Sequence, residues 1–497
     1  MAGRVEVPGP LEAEVSPAEK NVTLVASNED TESNGFSDHA TKNLLKKIDR
    51  VLLPLLSLLY LLSFLDRTNF GNAKLAGLED DLNMTGEYDY NTAVSIFFPF
   101  YVAAEIPSNM AMKRFRPSVW IPCLMLIWGI MTIMLGLVKN FAGLLAVRCA
   151  LGLAEGGLFP GINYYITMWY KRHECGLRMA IFFSAATAAG AFGGLLARGI
   201  MEMKGIGGLN GWAWIFILEG IATSIIAIVA YFMMQDYPAT VKFLTPKEKQ
   251  EVLRRLEEDR CALSDEFDMK FMKDAFKDWK IWVHMIITFG IFTGLYSVSI
   301  FLPTIVKNLD YTNEKAQLMT VPPYAVACVF TITGGLLADR HRKRGMYMIL
   351  FCLMAMIGFA LLAGVESHKV KYFACFLVTS GIYANVPQGV AWNGNNIGGS
   401  FKRAVGLAMH AGCGNLGGIV SGFVYRQMDA PRYFSGHLIP LGTTTMSCVL
   451  SVLMTWYLRN ENARRDREYK PPSTYTREEM ALEIDKGDNA TFFRYTV

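Results

Sequence analysis

The sequence lacks the motifs of an ATP-driven pump and of a metalloenzyme. Its 497 residues contain no G-x-x-x-x-G-K-[ST] phosphate-binding loop, which argues against a pump that hydrolyses ATP on this chain alone. They also contain no H-E-x-x-H motif and no paired C-x-x-C motif, so no metal site is predicted. We therefore expect no enzyme activity, no cofactor and no metal.

Cysteines available for an extracellular disulfide framework are also missing. All nine cysteines lie in apolar runs or in polar segments that we place in the cytosol, where thiols stay reduced. We expect them to act as small packing residues. The first forty residues are polar and acid-rich without an apolar core, so we expect no cleavable signal peptide.

Apolar residues dominate what is present. They make up 52% of the chain, against 19% charged residues. They fall into runs of roughly 18 to 25 residues, the length that an α-helix needs to cross a bilayer. The twelve runs lie at 48–70, 91–112, 117–138, 141–169, 177–200, 212–234, 280–306, 318–338, 346–364, 371–392, 403–425 and 437–459. The sequence therefore predicts an all-α membrane protein with twelve transmembrane helices in the lipid bilayer.

A polar stretch at 235–279 divides these runs into two sets of six. We predict five regions: a disordered cytosolic tail at 1–44, a six-helix bundle at 45–234, a cytosolic linker at 235–279, a second six-helix bundle at 280–460 and a cytosolic tail at 461–497 that is also largely disordered. Within the linker, Thr245-Pro246-Lys247-Glu248 forms a capping box with proline at the first helical position. This pattern predicts a short helix that runs to Arg260.

Lysine and arginine cluster on alternate loops between the runs. The intervening loops are poor in them, and the longest, 71–90, is acidic. By the positive-inside rule, both termini are cytosolic and the net charge of +4 reflects topology and not nucleic-acid binding. Among the N-x-T sequons, only Asn83 would then be glycosylated.

Several motifs carry a family resemblance from about residue 44 to 460. The segment GGLLADRHRKR at 334–344 resembles the loop motif of the major facilitator superfamily; its first copy at 108–114, SNMAMKR, is degraded. FLDRTNFGNA at 64–73 and RCALGLAEGGLFPG at 148–161 are similar to the anion:cation symporter family. FLPT at 301–304, LMTVPPY at 318–324 and GNLGG at 414–418 resemble its fungal allantoate and nicotinate permease branch.

The resemblance implies the major facilitator fold and a function. We expect proton-coupled symport of a small organic anion at the plasma membrane by a monomer, through alternating access of the two bundles around a midplane cavity. The substrate would be a monocarboxylate such as nicotinate or a related vitamin. A uniporter of a small polar solute is one alternative, and a nutrient receptor that retains the transporter fold and signals through its tails is another.

Charged residues inside the runs are candidates for function because burying a charge in lipid is costly. Arg148 and Glu155 share one face of a helix but lie about 10 Å apart along its axis, so each needs a partner elsewhere. The candidate partners are Asp66 and Arg67. Arginine binds carboxylates through its planar fork, and a buried acid can exchange a proton.

The resemblance assigns Arg67 to the substrate carboxylate, and Asp66 and Glu155 to protonation; we add Arg148 to the predicted anion site. Two structural alternatives remain. Asp66 and Arg67 could be interfacial residues, and Arg148 with Glu155 could belong to an interhelical ion-pair network.

Other candidates are weaker. Tyr296, Asn395 and Asn415 could line the cavity, although hydrogen bonding between helices is an alternative. The resemblance implies that Asp339, with Arg340, forms a conformational latch at the cytosolic helix ends.

Three further features favour packing over chemistry. His284 and His410 are predicted to be packing residues. The glycine-rich stretch 412–417 lies inside an apolar run without a preceding strand, which favours close helix packing over dinucleotide binding.

Overall fold

The predicted runs appear as α-helices in a computed structural model, which describes residues 36–260, 269–430 and 432–497. No β-strand occurs in these three ranges. The first half contains α1 Asp38–Leu75, α2 Leu78–Asp81, α3 Asp89–Ser95, α4 Phe97–Arg114, α5 Pro117–Gly136, α6 Phe141–Glu155, α7 Leu158–Thr167, α8 Arg172–Met201 and α9 Gly211–Met233. The linker contains α10 Pro246–Arg260 and α11 Met269–Lys277.

The second half contains α12 Trp279–Lys307, α13 Asn313–Met319, α14 Val321–His341, α15 Arg344–Gly364, α16 His368–Asn395, α17 Ser400–Gly422, α18 Phe434–Glu468 and α19 Arg477–Leu482. Short 3₁₀ turns lie at Ile206–Gly208, Gln427–Asp429, Pro472–Thr474 and Ile484–Asn489. The all-α prediction is confirmed for the part of the chain that is described.

Each of the twelve predicted runs coincides with one helix or with two consecutive helices. The run 91–112 is broken into α3 and α4, and the run 141–169 into α6 and α7. Among the described helices, nine segments are long and apolar enough to cross a membrane, and α4, α16 and α17 are not among them. These three carry buried polar residues within their runs, including Glu105, Asn385 and Asn415. The count of twelve spans stays a prediction.

The two halves touch at both ends of the bundle. At the predicted outer end, a Cβ atom at Gly71 of α1 would collide with the carbonyl oxygen of Ile300 in α12, so only glycine permits this approach. The Asn91 side chain donates a hydrogen bond to the Gly422 carbonyl oxygen, which joins α3 to α17. At the opposite end, a Cβ at Gly335 of α14 would collide with the side chain of Ala180 in α8.

The short helix predicted in the linker is present. The helix α10 starts at Pro246 and ends at Arg260, as the capping box predicts. The Thr245 backbone N–H donates to Glu248 Oε2 at 2.8 Å, and the Glu248 N–H donates to Thr245 Oγ1 at 3.4 Å. The second linker helix, α11, has no counterpart in the prediction.

The predicted tails have different outcomes. Of the tail 1–44, residues 1–35 lie outside the described part of the chain, and α1 already begins at Asp38. The expectation of disorder in 461–497 is wrong. There α18 continues to Glu468, and residues 484–497 pack against the second half.

Buried ionic contacts hold this C-terminal segment in place. The fully buried Asp488 carboxylate lies 2.5 Å from Lys280 Nζ of α12 and 2.5 Å from Lys402 Nζ of α17. Arg465 of α18 donates to the carbonyl oxygens of Asp488, Ala490 and Phe493 at 3.0–3.2 Å. A hydropathy pattern cannot show this arrangement because its stabilising groups are charges far apart in sequence.

The same segment reaches α15 and α16. The Thr496 carbonyl oxygen accepts hydrogen bonds from Trp392 Nε1 at 2.9 Å and from Asn396 Nδ2 at 3.0 Å. The Val497 carbonyl oxygen accepts one from the Arg344 backbone N–H at 2.8 Å. Residues 484–497 therefore contact α12, α15, α16, α17 and α18 at the predicted cytosolic end.

Replacing Asp488 by alanine tests this anchoring. Asp488→Ala removes one of the two carboxylates that Lys280 and Lys402 share and leaves them only Asp278, and breaking a buried ion pair costs up to about 3–5 kcal/mol. We expect a clear drop in the melting temperature of the detergent-purified protein. Glu478→Ala, which removes an exposed carboxylate from α19, is the matched control and should not change it. Equal melting temperatures for both variants would contradict the anchoring.

The anchoring should also depend on pH. Burial would raise the pKa of the Asp488 carboxyl, but the Lys280 and Lys402 ammonium groups outweigh burial and hold the pKa below its ordinary value of 3.8. A lowered pKa stabilises the folded state above the ordinary value, and this contribution is lost as pH falls through the lowered pKa. The protection of amides in 484–497 against hydrogen exchange should therefore persist from neutral pH down to about 4 and weaken below 3.8. A loss of protection already near neutral pH would contradict this assignment.

Candidate functional site

The site begins on α1, which buries Asp66 and Arg67 side by side. Their exposed fractions are 5% and 8%, so both side chains lie inside the protein. Consecutive residues on a helix point in different directions. As a result, Arg67 contacts α6 and the second half, whereas Asp66 contacts α5 and α9.

Arg67 forms a buried ion pair with Glu155, the last residue of α6. Arg67 Nε and Nη2 donate to Glu155 Oε1 at 3.1 and 2.8 Å, and Ser63 Oγ donates to the same oxygen at 2.5 Å. Gly156 directly follows, and a Cβ there would collide with the Tyr101 carbonyl oxygen of α4. Glycine at this position therefore lets α6 end close to α4 and α1.

The contacts of Arg67 continue into the second half and return. Arg67 Nη1 donates to the Tyr296 hydroxyl at 2.8 Å, and that hydroxyl donates to Asn415 Oδ1 at 2.5 Å. Asn415 Nδ2 makes a long contact of 3.5 Å to Glu105 Oε2. We call Glu155, Arg67, Tyr296, Asn415 and Glu105 the interhalf network. It connects α1, α4 and α6 of the first half with α12 and α17 of the second.

Aromatic rings surround the Arg67 guanidinium. Its central carbon lies 4.9 Å from the ring centre of Tyr101 and 5.6 to 5.8 Å from those of Tyr296, Phe64 and Phe97. Such contacts stabilise a cation while excluding water. The positive charge therefore lies in an apolar, aromatic setting with Glu155 as its counter-ion.

Arg148 does not join this network. Its Nε and Nη2 donate to the carbonyl oxygens of Ala93 and Val94 at 2.9 and 3.1 Å, and its guanidinium lies 4.3 Å from the Phe70 ring centre. The prediction that Asp66 or Arg67 would be its partner is wrong, whereas Glu155 does pair with Arg67. The break between α3 and α4 explains the difference, because the last carbonyl groups of a helix have no partner within it.

Asp66 contacts a separate group of residues. Its Oδ2 accepts hydrogen bonds from the Trp128 indole N–H and from Thr132 Oγ1, both on α5. Asn69, three residues after Asp66 on the same face of α1, donates to Glu219 Oε2 of α9, which places the two acids side by side. Asp66 therefore belongs to a cluster that is distinct from the interhalf network.

Glu219 and Glu105 were not among the predicted site residues. Glu105 is fully buried, and its Oε1 has no hydrogen-bond partner in the described part of the structure. Both acids lie inside predicted spans, 91–112 and 212–234. A carboxylate within an apolar run was therefore the signal that could have identified them.

Of the three polar candidates in the second half, two join the network and one does not. Tyr296 and Asn415 contact each other and connect Arg67 to Glu105. Asn395, in contrast, is the last residue of α16, where its neighbour Asn396 binds the C-terminal segment. It lies about 18 Å along the helix from Tyr383, which contacts Phe64 of α1. Its place in the central cavity stays a prediction.

Asp339 bridges the two halves at the predicted cytosolic end. Its Oδ2 accepts a hydrogen bond from the Leu177 backbone N–H of α8 at 2.6 Å, and its Oδ1 forms an ion pair with Arg344. Arg344 Nη1 also donates to Gln388 Oε1 at 3.1 Å. The cation that contacts Asp339 is therefore Arg344, and the latch role of Asp339 and Arg340 stays a prediction.

The remaining predicted residues occupy simple settings. Asn83 is exposed in the turn between α2 and α3. His410 is buried and hydrogen-bonds Thr288 Oγ1 at 2.9 Å. Gly414 packs α17 against Phe292 of α12, which agrees with helix packing in the glycine-rich stretch. In the described ranges, no group of three or more histidine, cysteine or acidic residues could hold a metal ion.

Comparisons with known proteins identify the family. The sequence profile of the Major Facilitator Superfamily matches residues 56–422. An uncharacterised transporter of Schizosaccharomyces pombe (strain 972 / ATCC 24843) is 36% identical over 464 residues, which cover 92% of this chain and 91% of the relative.

Solved structures agree in fold. A bacterial homologue of the human lysosomal transporter Spinster, in an inward-facing and unoccupied conformation, is similar with a TM-score of 0.61 at 16% identity over 81% of this chain and 96% of that chain. The proton:xylose symporter XylE is similar with a TM-score of 0.60 at 15% identity over 82% and 95% of the two chains. The chain therefore belongs to the major facilitator superfamily and is a multi-pass membrane transporter.

Proposed function

We propose that this transporter moves a small organic anion together with protons, with Arg67 as the anion-binding residue and Glu155 as a proton acceptor. The buried ion pair between them is the observation that supports the proposal. Before substrate binds, Glu155 neutralises Arg67. When Glu155 takes up a proton, Arg67 loses its counter-ion and can bind the carboxylate of a substrate.

Charge balance couples the binding of the anion at Arg67 to the uptake of a proton by Glu155. Before binding, the site holds one cation and one carboxylate, and the loaded site holds the same cation, a substrate carboxylate and a neutral Glu155. The net charge is therefore equal in both states. Binding the anion alone would leave two negative charges beside one guanidinium in a buried setting, which desolvation makes costly. The anion and the proton consequently bind together.

The surroundings of Arg67 favour a small, flat monocarboxylate. Arg67 is the cation of the interhalf network, which matches a single negative charge, and the rings of Tyr101, Tyr296, Phe64 and Phe97 can stack on a planar substrate. Nicotinate or a related vitamin has this chemistry. With the motifs at 64–73 and 148–161, these features support membership of the anion:cation symporter family. The motifs at 301–304, 318–324 and 414–418 support its allantoate and nicotinate permease branch, acting at the plasma membrane.

The contacts between the halves suggest how access alternates. Tyr296 and Asn415 belong to the second half but bind Arg67 and Glu105 of the first. A substrate carboxylate that takes the Tyr296 position on Arg67 would loosen this connection. Opening toward the cytosol would also break the contact between Asp339 and Leu177, which would give Asp339 and Arg344 the role of a latch.

Replacing Glu155 by glutamine separates binding from coupling. The glutamine side chain can still accept hydrogen bonds from Arg67 and Ser63, but it cannot take up a proton. In proteoliposomes with labelled nicotinate and a panel of competing monocarboxylates, Glu155→Gln should abolish accumulation driven by an imposed pH gradient while anion exchange continues. Glu202→Gln, at an exposed carboxylate after α8, is the control and should accumulate as the wild type does. A wild type that equilibrates its substrate without responding to the pH gradient would instead identify a uniporter.

Replacing Arg67 by lysine tests the anion site. Lysine keeps the charge but lacks the fork that bonds Glu155 and Tyr296 together. Losing a charged hydrogen bond costs about 1.5–3 kcal/mol, so KM for the transported anion should rise about 10- to 100-fold. Arg148→Lys is the matched control: because Arg148 binds backbone carbonyl groups, it should lower the melting temperature and leave KM unchanged. A rise in KM for Arg148→Lys together with an unchanged KM for Arg67→Lys would refute the proposed site.

A further inference from the structure

A second acidic site lies beside the interhalf network, between α1, α5 and α9. Asp66 and Glu219 are only 5% and 6% exposed, and they lie beside each other because Asn69, three residues after Asp66 on the same face of α1, binds Glu219. Asn69 Nδ2 donates a hydrogen bond to Glu219 Oε2. Trp128 and Thr132 donate to Asp66 Oδ2. Each carboxyl group therefore has one oxygen atom that is satisfied by neutral donors.

The other oxygen of each carboxyl group has no donor. Asp66 Oδ1 and Glu219 Oε1 are buried and lack hydrogen-bond partners among the described residues. Buried carboxyl oxygens are almost always hydrogen-bonded, because leaving them without a partner is costly. A proton held between the two carboxyl groups would supply the missing donor for both.

The charged residues nearby are consistent with a proton held between the two carboxyl groups. Arg67, the neighbour of Asp66 on α1, directs its Nε and Nη2 to Glu155. Arg148 of α6 directs its guanidinium to the carbonyl oxygens of Ala93 and Val94. Glu155 of α6 adds a repulsive negative charge near Asp66, and the contacts from α5 are the neutral Trp128 and Thr132. The hydrogen bonds of Arg67 and Arg148 described above therefore go to groups other than Asp66 and Glu219.

We propose that Asp66 and Glu219 form a single proton-binding site, in which one proton is shared between the two carboxyl groups. The proton comes from water, one O–H bond forms, and the pair changes from two negative charges to one. Proton binding itself stands independently of the proposed function; its use in coupling rests on that function. Because Asp66 and Arg67 are adjacent on α1, loss of the shared proton would make Asp66 and Glu219 repel each other and shift the helix that carries the anion-binding guanidinium.

Infrared spectroscopy of the full-length protein in detergent tests the site directly. A protonated buried carboxyl group has a carbonyl stretch at a higher frequency than a carboxylate, and this band shifts in D₂O. Asp66→Asn and Glu219→Gln each replace one partner by an amide that can donate an N–H to the remaining carboxylate. Each variant should therefore lose one band, and the double variant should lose the same single band and no more.

The controls keep this test decisive. Glu202→Gln, at an exposed carboxylate, should leave the band intact. Thr132→Val removes one donor to Asp66 but keeps both carboxyl groups, so the band should remain and shift in frequency; this variant serves if Asp66→Asn or Glu219→Gln does not fold. Losses that add up in the double variant would overturn the proposal by showing two independent acids. An unchanged band in both single variants would overturn it as well.

Transport measurements separate this inference from the proposed function. In proteoliposomes, Glu219→Gln should reduce the number of protons moved with each labelled nicotinate, whereas Glu202→Gln should not. If the band disappears but wild-type uptake ignores the proton gradient, the shared proton stands and the proposed symport fails. If uptake is proton-driven but Glu219→Gln changes neither the band nor the ratio, the shared proton fails and symport stands.

Discussion

The buried ion pair of Arg67 and Glu155 imposes the main constraint on this structure. A charge inside a membrane protein has to be neutralised locally, and here the neutralising groups lie within the first half of the chain. The second half contributes the uncharged Tyr296 and Asn415 to the same network. To this network the second half therefore contributes hydrogen bonds and no charge, and each such bond contributes only about 0.5–3 kcal/mol. Moving one half against the other does not require the central ion pair to separate.

The opposite arrangement holds at the predicted cytosolic end. Here a charged group connects the halves, because Asp339 of the second half binds both Arg344 and the backbone of Leu177 in the first half. Arg344 is buried and also bonds Gln388 of α16. Its backbone N–H binds the C-terminal segment. A change in the contact between Asp339 and α8 therefore affects Arg344, which several elements of the second half hold in place.

The sequence predicted the helices well because hydropathy reports the length of apolar runs, and the capping box at Thr245 fixed the start of α10 correctly. It also predicted that Glu155 would need a partner on the first helix, which Arg67 supplies. Motif residues and helix periodicity were sufficient for these results. Both predictions rest on residues that are close together in the sequence.

Three features could not be predicted by the same means. The break at Ile96 divides a run that hydropathy shows as continuous, and this break gives Arg148 its carbonyl partners. Averaged hydropathy also conceals single acids, so Glu105 and Glu219 were missed. The packing of 484–497 depends on Asp488, which meets lysines 208 and 86 residues away in sequence.

The position of Asp488 late in the chain has a consequence for biosynthesis. All helices of both bundles are translated before residues 484–497, so Lys280 and Lys402 are in place while the only other carboxylate that pairs with them in the described structure is Asp278, at 3.6 and 2.7 Å. Arrival of Asp488 then completes the charge balance at this surface. Until that moment, the nascent protein presents two lysines that share one counter-ion. The ion-pair cluster of Asp488, Lys280 and Lys402 can therefore form only after both bundles have been translated.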